Sequence, residues 1–192
     1  HIQIHYAKLM EINYTLIDTP HLTLKGLSPK IMNDIFAQLS KTDIMRVLGH
    51  HSDDDYVAEE QKYLGGYSSY NRSFLLFLLV DKSSDTIMGR CGFHNWNDEH
   101  QRAELGYVMT DQSFRNQGFM TEAVEAVLNY GFKVLRLNRV EALVGRNNIP
   151  SLKIMSKFGF INEGCMRRHY FADGVFEDSL VFSILEEEYN KK

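Results

Sequence analysis

The stretch Glu104–Ala123, which reads ELGYVMTDQSFRNQGFMTEA, decides the fold. It begins inside a strand that we place over Arg102–Met109, and a helical pattern of apolar residues runs from Gly118 to Leu135. A loop that enters a helix presents unpaired backbone N–H groups and the positive end of the helix dipole. Gly118 lets an anion approach this backbone closely, and Arg115 adds a cation suited to phosphate. The stretch therefore predicts either a pyrophosphate site or a plain strand–helix connection.

Two common phosphate-binding loops do not fit the same stretch. No Gly-Lys-Ser/Thr sequence is present at the start of the helix, which excludes a nucleotide P-loop. Only Gly118 of the three glycines of a dinucleotide fingerprint is present, which excludes that motif as well.

Strands and helices continue on both sides of this stretch. Upstream we predict a strand over 21–25, helices that begin near Ser28, Asp43 and Ser52, strands over 73–80 and 86–94, and a polar loop over 95–100. Downstream we predict a strand over 139–145, a helix over 148–158, and a hairpin with strands over 160–170 and 175–185. This order predicts an α+β (mixed α/β) fold, with a mixed sheet that has helices on both faces.

The composition of the 192 residues is that of an ordinary globular protein, with 44% hydrophobic and 24% charged residues. The net charge of −4 excludes the general electrostatic footprint of a nucleic-acid-binding protein. The longest apolar run, residues 74–80, is too short to span a bilayer, so we expect no membrane partner. Cys91 and Cys165 form neither a disulfide framework nor a metal knuckle. We therefore expect a cytoplasmic protein without a metal.

No linker divides the chain, so we expect a single domain over 21–185. Because the sequence opens on His1 rather than on methionine, we expect residues 1–20 to be an N-terminal extension, part of it left from an expression vector. Residues 186–192 are expected to form a charged C-terminal tail.

Three motifs, in this order, resemble those of the GNAT N-acetyltransferases. Glu104–Tyr107 matches the fourth-strand pattern, Arg115–Met120 resembles the Arg/Gln-x-x-Gly-x-Gly/Ala loop that binds acetyl-CoA, and Asn148–Ser151 with Lys157–Phe160 resembles the Asn-x-x-Ser…Gly-Phe segment. The closing hairpin resembles that of the RimJ/RimL branch, which acetylates N-termini of ribosomal proteins. The resemblance implies a mostly antiparallel sheet of about seven strands. Met120 departs from the family pattern, which more often has a small residue there.

The resemblance also implies which residues bind the cosubstrate acetyl-CoA. The backbone of residues 116–121 would hold the pyrophosphate, with help from Arg115 and the Thr121 hydroxyl. The backbone of Val108 and Met109 would pair with the pantetheine. The cofactor-binding set is Val108, Met109, Arg115, Asn116, Gln117, Gly118, Phe119, Met120, Thr121, Asn148 and Ser151. Asn148 is alternatively a helix cap, and Ser151 an ordinary serine of the first turn.

Acyl transfer to an amine requires that the amine be neutral. An α-amine, with a pKa near ~8, needs less help from a base than a lysine, with a pKa near ~10.4. Glu104 is the candidate catalytic base, directly or through a water molecule, and the alternative is a solvated or salt-bridged strand glutamate with Arg102 nearby. The helix after Asn148 lacks the tyrosine that many family members use as general acid. Tyr170, His94 and Cys165 are possible substitutes.

The resemblance implies an acetyl-CoA-dependent N-acetyltransferase in which the amine attacks the thioester directly in a ternary complex. The acceptor is a protein N-terminal amine by analogy with the RimJ/RimL branch, or a small amine such as a polyamine, an amino acid or a drug. A CoA-binding regulatory module without turnover is a further alternative. A homodimer is one open oligomeric state. Asp53, Asp54 and Asp55 either start a helix or also attract a cationic amine.

Overall fold

The computed structural model describes residues 12–67 and 72–191. Within these ranges the strands are β1 (Thr15–Asp18), β2 (Leu22–Leu27), β3 (Ser73–Asp81), β4 (Ile87–Asn97), β5 (Arg102–Met109), β6 (Arg139–Gly145), β7 (Ile161–Ala172) and β8 (Val175–Leu185). They form one mostly antiparallel sheet in the order β1-β2-β3-β4-β5-β6-β8-β7. The helices are α1 (Pro29–Gln38), α2 (Lys41–Leu48), α3 (Asp53–Gly65), α4 (Phe119–Lys133), α5 (Ile149–Lys157) and α6 (Glu186–Tyr189). The predicted α+β class is confirmed.

Local capping chemistry sets where the helices begin. The Ser28 hydroxyl accepts the Ile31 N–H at the start of α1. Ser52 and Asp55 form a capping box at the start of α3. After the C-terminal end of α5, Gly159 has a φ of +65°, the left-handed conformation in which glycine commonly ends a helix. The starts of α1 and α3 agree with the helices predicted to begin near Ser28 and Ser52.

The two sheet faces carry separate apolar cores. On one face, α4 buries Val124, Val127 and Leu128 completely, and Met155 of α5 joins the same core. On the other face, helices α1 and α2 pack their apolar residues against β2 and β3. Helices therefore cover both faces, as predicted. None of the described helices has the length and apolar character needed to cross a membrane.

Three predictions about the elements need correction. The sheet has eight described strands rather than about seven, because Thr15–Asp18 pairs with β2 although it lies in the segment expected to be an extension. β4 continues to Asn97, because a bulge with a φ of +49° at Asn95 carries the strand through residues expected to form a loop. The expected tail contains α6, whose Tyr189 ring stacks on Phe132 at a centroid distance of 5.0 Å. Residues 1–11 and 192 of the expected terminal segments lie outside the described residues.

The only parallel pairing among the described strands joins β5 to β6, and it is short. It covers Arg102, Ala103 and Glu104, opposite residues 139–141. Beyond Glu104, β5 stays paired with β4, while β6 continues along β8 as far as Gly145. The two strands therefore separate after Glu104 and leave one edge of β5 without a β6 partner.

Candidate active site

A cleft of about 480 Å³ lies beside the unpaired part of β5, the loop before α4, and α5. Its lining includes every predicted cofactor residue except Gln117, namely Val108, Met109, Arg115, Asn116, Gly118, Phe119, Met120, Thr121, Asn148 and Ser151. Gln117 is exposed, and its side-chain amide donates to the Ser113 carbonyl at 2.6 Å. The fold thus brings two distant stretches of sequence to one cleft, while their roles in binding stay predictions.

The loop before α4 exposes backbone donors toward this cleft. Asn116 and Gly118 both adopt left-handed backbone, with φ of +61° and +88°. The first backbone bond of α4 runs from the Glu122 N–H to the Gly118 carbonyl at 3.0 Å. Within the described part of the chain, no side chain caps this helix. The N–H groups of residues 119–121 are therefore available to an anion at the positive end of the helix dipole.

Among the described residues, three cationic side chains line the cleft. Arg115 is exposed and forms no ion pair with another described residue. Lys153 and Lys157 of α5 were not among the predicted residues, although their spacing of four places them on one helix face. That spacing, next to the Asn148 motif, is the signal that sequence reasoning overlooked. The three cations give the cleft a local positive charge within an acidic protein.

The inner wall of the cleft holds a hydroxyl that the sequence analysis did not select. The Tyr107 hydroxyl is buried and has no hydrogen-bond partner among the described residues. Burial raises the pKa of Tyr107, although the Ser151 hydroxyl works in the opposite direction. Asn148 accepts the Ser151 N–H at 3.2 Å, so its capping role is confirmed. A buried hydroxyl with no close hydrogen-bond partner other than the nearby Ser151 hydroxyl, in a cleft lined by cations and free N–H groups, fits a long anionic ligand that carries polar groups.

Glu104 does not line this cleft. It is the last β5 residue paired with β6, and its side chain points away from the face on which its neighbours Ala103 and Leu105 are buried. The Glu104 carboxylate accepts the Asn95 amide at 2.9 Å and lies 3.1 Å from Nε2 of His94. Burial raises the pKa of Glu104, but these two partners outweigh it and hold the pKa below its usual value. Glu104, the candidate base, therefore lies at the point where β5 and β6 begin to separate.

Glu104 pairs with His94 rather than with the nearby Arg102. The Arg102 guanidinium instead lies 3.7 Å from the carboxylate of Glu141 on β6. Of the substitute acids, His94 contacts Glu104, whereas Tyr170 and Cys165 are exposed on β7 and absent from the cleft lining.

The acidic run at the start of α3 is largely engaged in local contacts. Asp55 completes the capping box, and Asp53 lies 3.1 Å from the Lys41 ammonium. Both contacts favour the helix-start interpretation over attraction of an amine. No group of three or more His, Cys, Asp or Glu side chains among the described residues is placed to hold a metal ion.

Comparison with known proteins gives a family for this chain. Residues 21–161 match the acetyltransferase (GNAT) domain. The uncharacterized N-acetyltransferase YoaA of Bacillus subtilis is 28% identical over 176 residues, which cover 90% of this chain and 98% of YoaA. The uncharacterized N-acetyltransferase p20 of Bacillus licheniformis is 39% identical over 113 residues, 59% of this chain and only 63% of p20.

Two further similarities involve proteins whose names specify an acceptor. The putative ribosomal N-acetyltransferase YdaF of Bacillus subtilis is 30% identical over 112 residues, covering 58% of this chain and 59% of YdaF. The solved structure of the spermidine/spermine N-acetyltransferase SpeG from Vibrio cholerae superposes with a TM-score of 0.67 over 89% of this chain and 96% of SpeG. At 19% identity, the SpeG likeness shows a shared fold. With the domain match over residues 21–161, these findings establish that the chain belongs to the GNAT family of N-acetyltransferases and is an acyltransferase.

Proposed function

We propose that this protein transfers an acetyl group from acetyl-CoA to a primary amine in a ternary complex. The observation that carries the proposal is the gap between β5 and β6, which adjoins a cleft lined by the free N–H groups at the start of α4. Bound acetyl-CoA supplies an activated thioester. An amide C–N bond forms as the thioester C–S bond breaks, one amine proton leaves to a base, and CoA departs as its thiol.

The cleft residues hold the cosubstrate in this proposal, and we call this cleft of β5, the loop before α4 and α5 the cofactor cleft. Arg115, Lys153 and Lys157 bind its phosphates together with the backbone N–H groups of residues 116–121. The open edge of Val108 and Met109 pairs with the pantetheine amides as an added strand does. Asn148 and Ser151 contact the sulfur end.

Glu104 accepts the amine proton, directly or through a water molecule. Its lowered pKa keeps the carboxylate ionised at neutral pH, and His94 at 3.1 Å leads from Glu104 toward solvent. Tyr107 is our candidate donor of a proton to the departing thiolate, since burial keeps its hydroxyl protonated and it lines the cleft. It would take the place of the tyrosine that the helix after Asn148 lacks.

Two sources of the amine are supported by different similarities. The RimJ/RimL resemblance and the name of YdaF favour a protein N-terminal amine, ribosomal or other. The name of SpeG favours a small amine. A CoA-binding module without turnover is the alternative function, and the Glu104–His94 contact beside the gap argues against it.

The test combines acetyl-CoA binding by calorimetry with release of free thiol near pH 8. The acceptors are peptides with free N-termini, lysine peptides with blocked N-termini, polyamines and monoamines. We expect acetyl-CoA binding and amine-dependent thiol release with at least one class. Binding without release on any amine favours the module, and a folded protein that fails to bind acetyl-CoA contradicts the proposal.

A further inference from the structure

A second cavity, of about 410 Å³, lies on the opposite sheet face from the cofactor cleft, between α1, α3 and strands β3 and β4. We call it the distal pocket. Its apolar wall includes Met32, Phe74 and Leu76, and the ring of Tyr67 meets Phe74 edge to face at a centroid distance of 5.4 Å. Such a wall favours an apolar or aromatic group.

The distal pocket adjoins the catalytic candidate. His94 lines the pocket, and its Nε2 lies 3.1 Å from the Glu104 carboxylate. The His94 ring packs against Gly106, where a Cβ atom would come within 2.7 Å of the ring. An amine nitrogen delivered to Glu104 therefore has this pocket within reach for the group that it carries.

The carboxylate of the distal pocket is already paired within the protein. Glu59 is the only carboxylate among the described lining residues, and it is 7% exposed. Its Oε2 accepts from Nη1 of Arg90 at 2.8 Å, and its Oε1 lies 3.5 Å from the Tyr67 hydroxyl. Lys62 adds a further cation to the lining. A second ammonium group on the acceptor would meet two cations and a carboxylate that is already paired.

We propose that the distal pocket binds the body of the acceptor, and that the acceptor is a primary amine carried on a compact apolar or aromatic group rather than a polyamine. This inference rests on the proposed acetyl transfer. The same chemistry is offered by a free aralkylamine and by a protein N-terminus that begins with an aromatic residue.

The test compares kcat/KM for thiol release with 2-phenylethylamine, a peptide that begins with phenylalanine, and spermidine, at saturating acetyl-CoA. We expect kcat/KM for one of the two aromatic acceptors to exceed that for spermidine by about tenfold or more. The preferred aromatic acceptor shows whether the acceptor is a free aralkylamine or a protein N-terminus. A higher kcat/KM for spermidine would overturn the inference and leave the acetyltransferase proposal standing. Acetyl-CoA binding without release on these three, but with release on another amine of the wider panel, would overturn the inference alone. Binding without release on any amine would overturn both.

Variants of the pocket wall give an independent check. Phe74→Ala and Tyr67→Ala should each lower kcat/KM for the preferred aromatic acceptor by about tenfold, mainly through KM, without changing acetyl-CoA affinity. Leu64→Ala is the control, because Leu64 is on α3 but is 68% exposed and outside the pocket lining. Circular dichroism and thermal unfolding identify a variant that has failed to fold. If one wall variant folds and keeps the wild-type kcat/KM, the pocket does not bind the acceptor.

Discussion

The cofactor cleft and the distal pocket lie on opposite faces of one sheet and are built in different ways. The cleft consists largely of two continuous stretches, residues 107–121 and 148–157, and uses backbone groups at a strand edge and a helix start. The distal pocket consists of side chains from α1, α3, β3 and β4, and its charged pair joins residues 59 and 90. Backbone-based sites leave a continuous sequence signature, whereas side-chain pockets form only when distant segments pack together.

The largest expected effect is at Glu104, which lies between the two regions. Glu104→Gln should lower kcat for amine acetylation by about 10²-fold or more, because the amine loses its base, while acetyl-CoA affinity stays unchanged. Since the pKa of Glu104 is already below its usual value, we expect the rate to rise above pH 7 because the acceptor amine loses its proton there, and not because Glu104 titrates. The variant should therefore lower the whole pH–rate profile without moving its midpoint.

Glu99→Gln is the matched control for this variant, since Glu99 is an exposed glutamate in the neighbouring turn. Thiol release measured from pH 6 to pH 9 checks the prediction. Wild-type turnover in Glu104→Gln would remove Glu104 from the mechanism.

The next largest effect is expected at Gly118, where a substitution tests the backbone of the cofactor cleft. Gly118→Ala places a side chain at a φ of +88°, where a residue other than glycine costs about 1–2 kcal/mol. We expect the dissociation constant of acetyl-CoA to rise by about tenfold, since ~1.4 kcal/mol corresponds to a factor of ten. Gly145→Ala is the control, because a Cβ there also meets open space but the backbone is not left-handed. Calorimetry that finds equal affinities for the two variants would contradict a backbone-based phosphate site.

A smaller effect is expected for the cations of the same cleft. Lys153→Ala and Lys157→Ala should each weaken acetyl-CoA binding by about two- to fivefold, because exposed ion pairs contribute up to ~1 kcal/mol. The loss should shrink as salt rises from 0.05 to about 0.5 M, because added ions screen the interaction. Lys133→Ala, at the far end of α4, is the control. A loss of affinity that does not depend on salt would mean that these lysines act through packing.

The smallest effect is expected at α3, which borders the distal pocket, and it concerns stability. Asp55→Asn weakens the capping box of α3 and should lower the free energy of unfolding by about 1 kcal/mol without changing acetyl-CoA affinity. The backbone hydrogen bond from His51, opposed by burial and aided by Ser52, holds the pKa of Asp55 below its usual 3.8. The stabilisation is therefore present above about pH 3.8 and is lost as the pH falls through the lower pKa of the folded state.

Asp54→Asn is the control for the capping variant, because Asp54 is exposed and takes no part in the capping box. Urea unfolding at pH 7 and at pH 3 measures the difference between the two variants. A difference that grows toward pH 3 would show that the sign of this linkage is wrong.

The sequence predicted what local chemistry determines. Ser28, Ser52 and Asn148 cap helices through bonds to residues three positions away, so their patterns could be read directly. The loop before α4 was predictable for the same reason. The four-residue strand Thr15–Asp18 was not, because it is ordered by pairing with β2 rather than by its own pattern. The polar composition around Asn95 indicated a loop, whereas a bulge keeps the chain in the sheet.

Contacts between residues far apart in the sequence could not be predicted from local patterns. Glu59 and Arg90 are 31 positions apart, and no periodicity links a helix glutamate to a strand arginine. The contact of Glu104 with His94 likewise depends on the register of β4 against β5. Tyr107 lies on β5, whereas the family pattern predicts a tyrosine in the helix after Asn148.

Amide hydrogen exchange of the backbone, with and without saturating acetyl-CoA, tests the central claim most directly. We predict that exchange slows by about tenfold or more in residues 106–109 and 116–121, the open edge of β5 and the loop before α4, while β7 is unchanged. Unchanged exchange in both segments, in a protein saturated with acetyl-CoA, would contradict the assignment of this cleft.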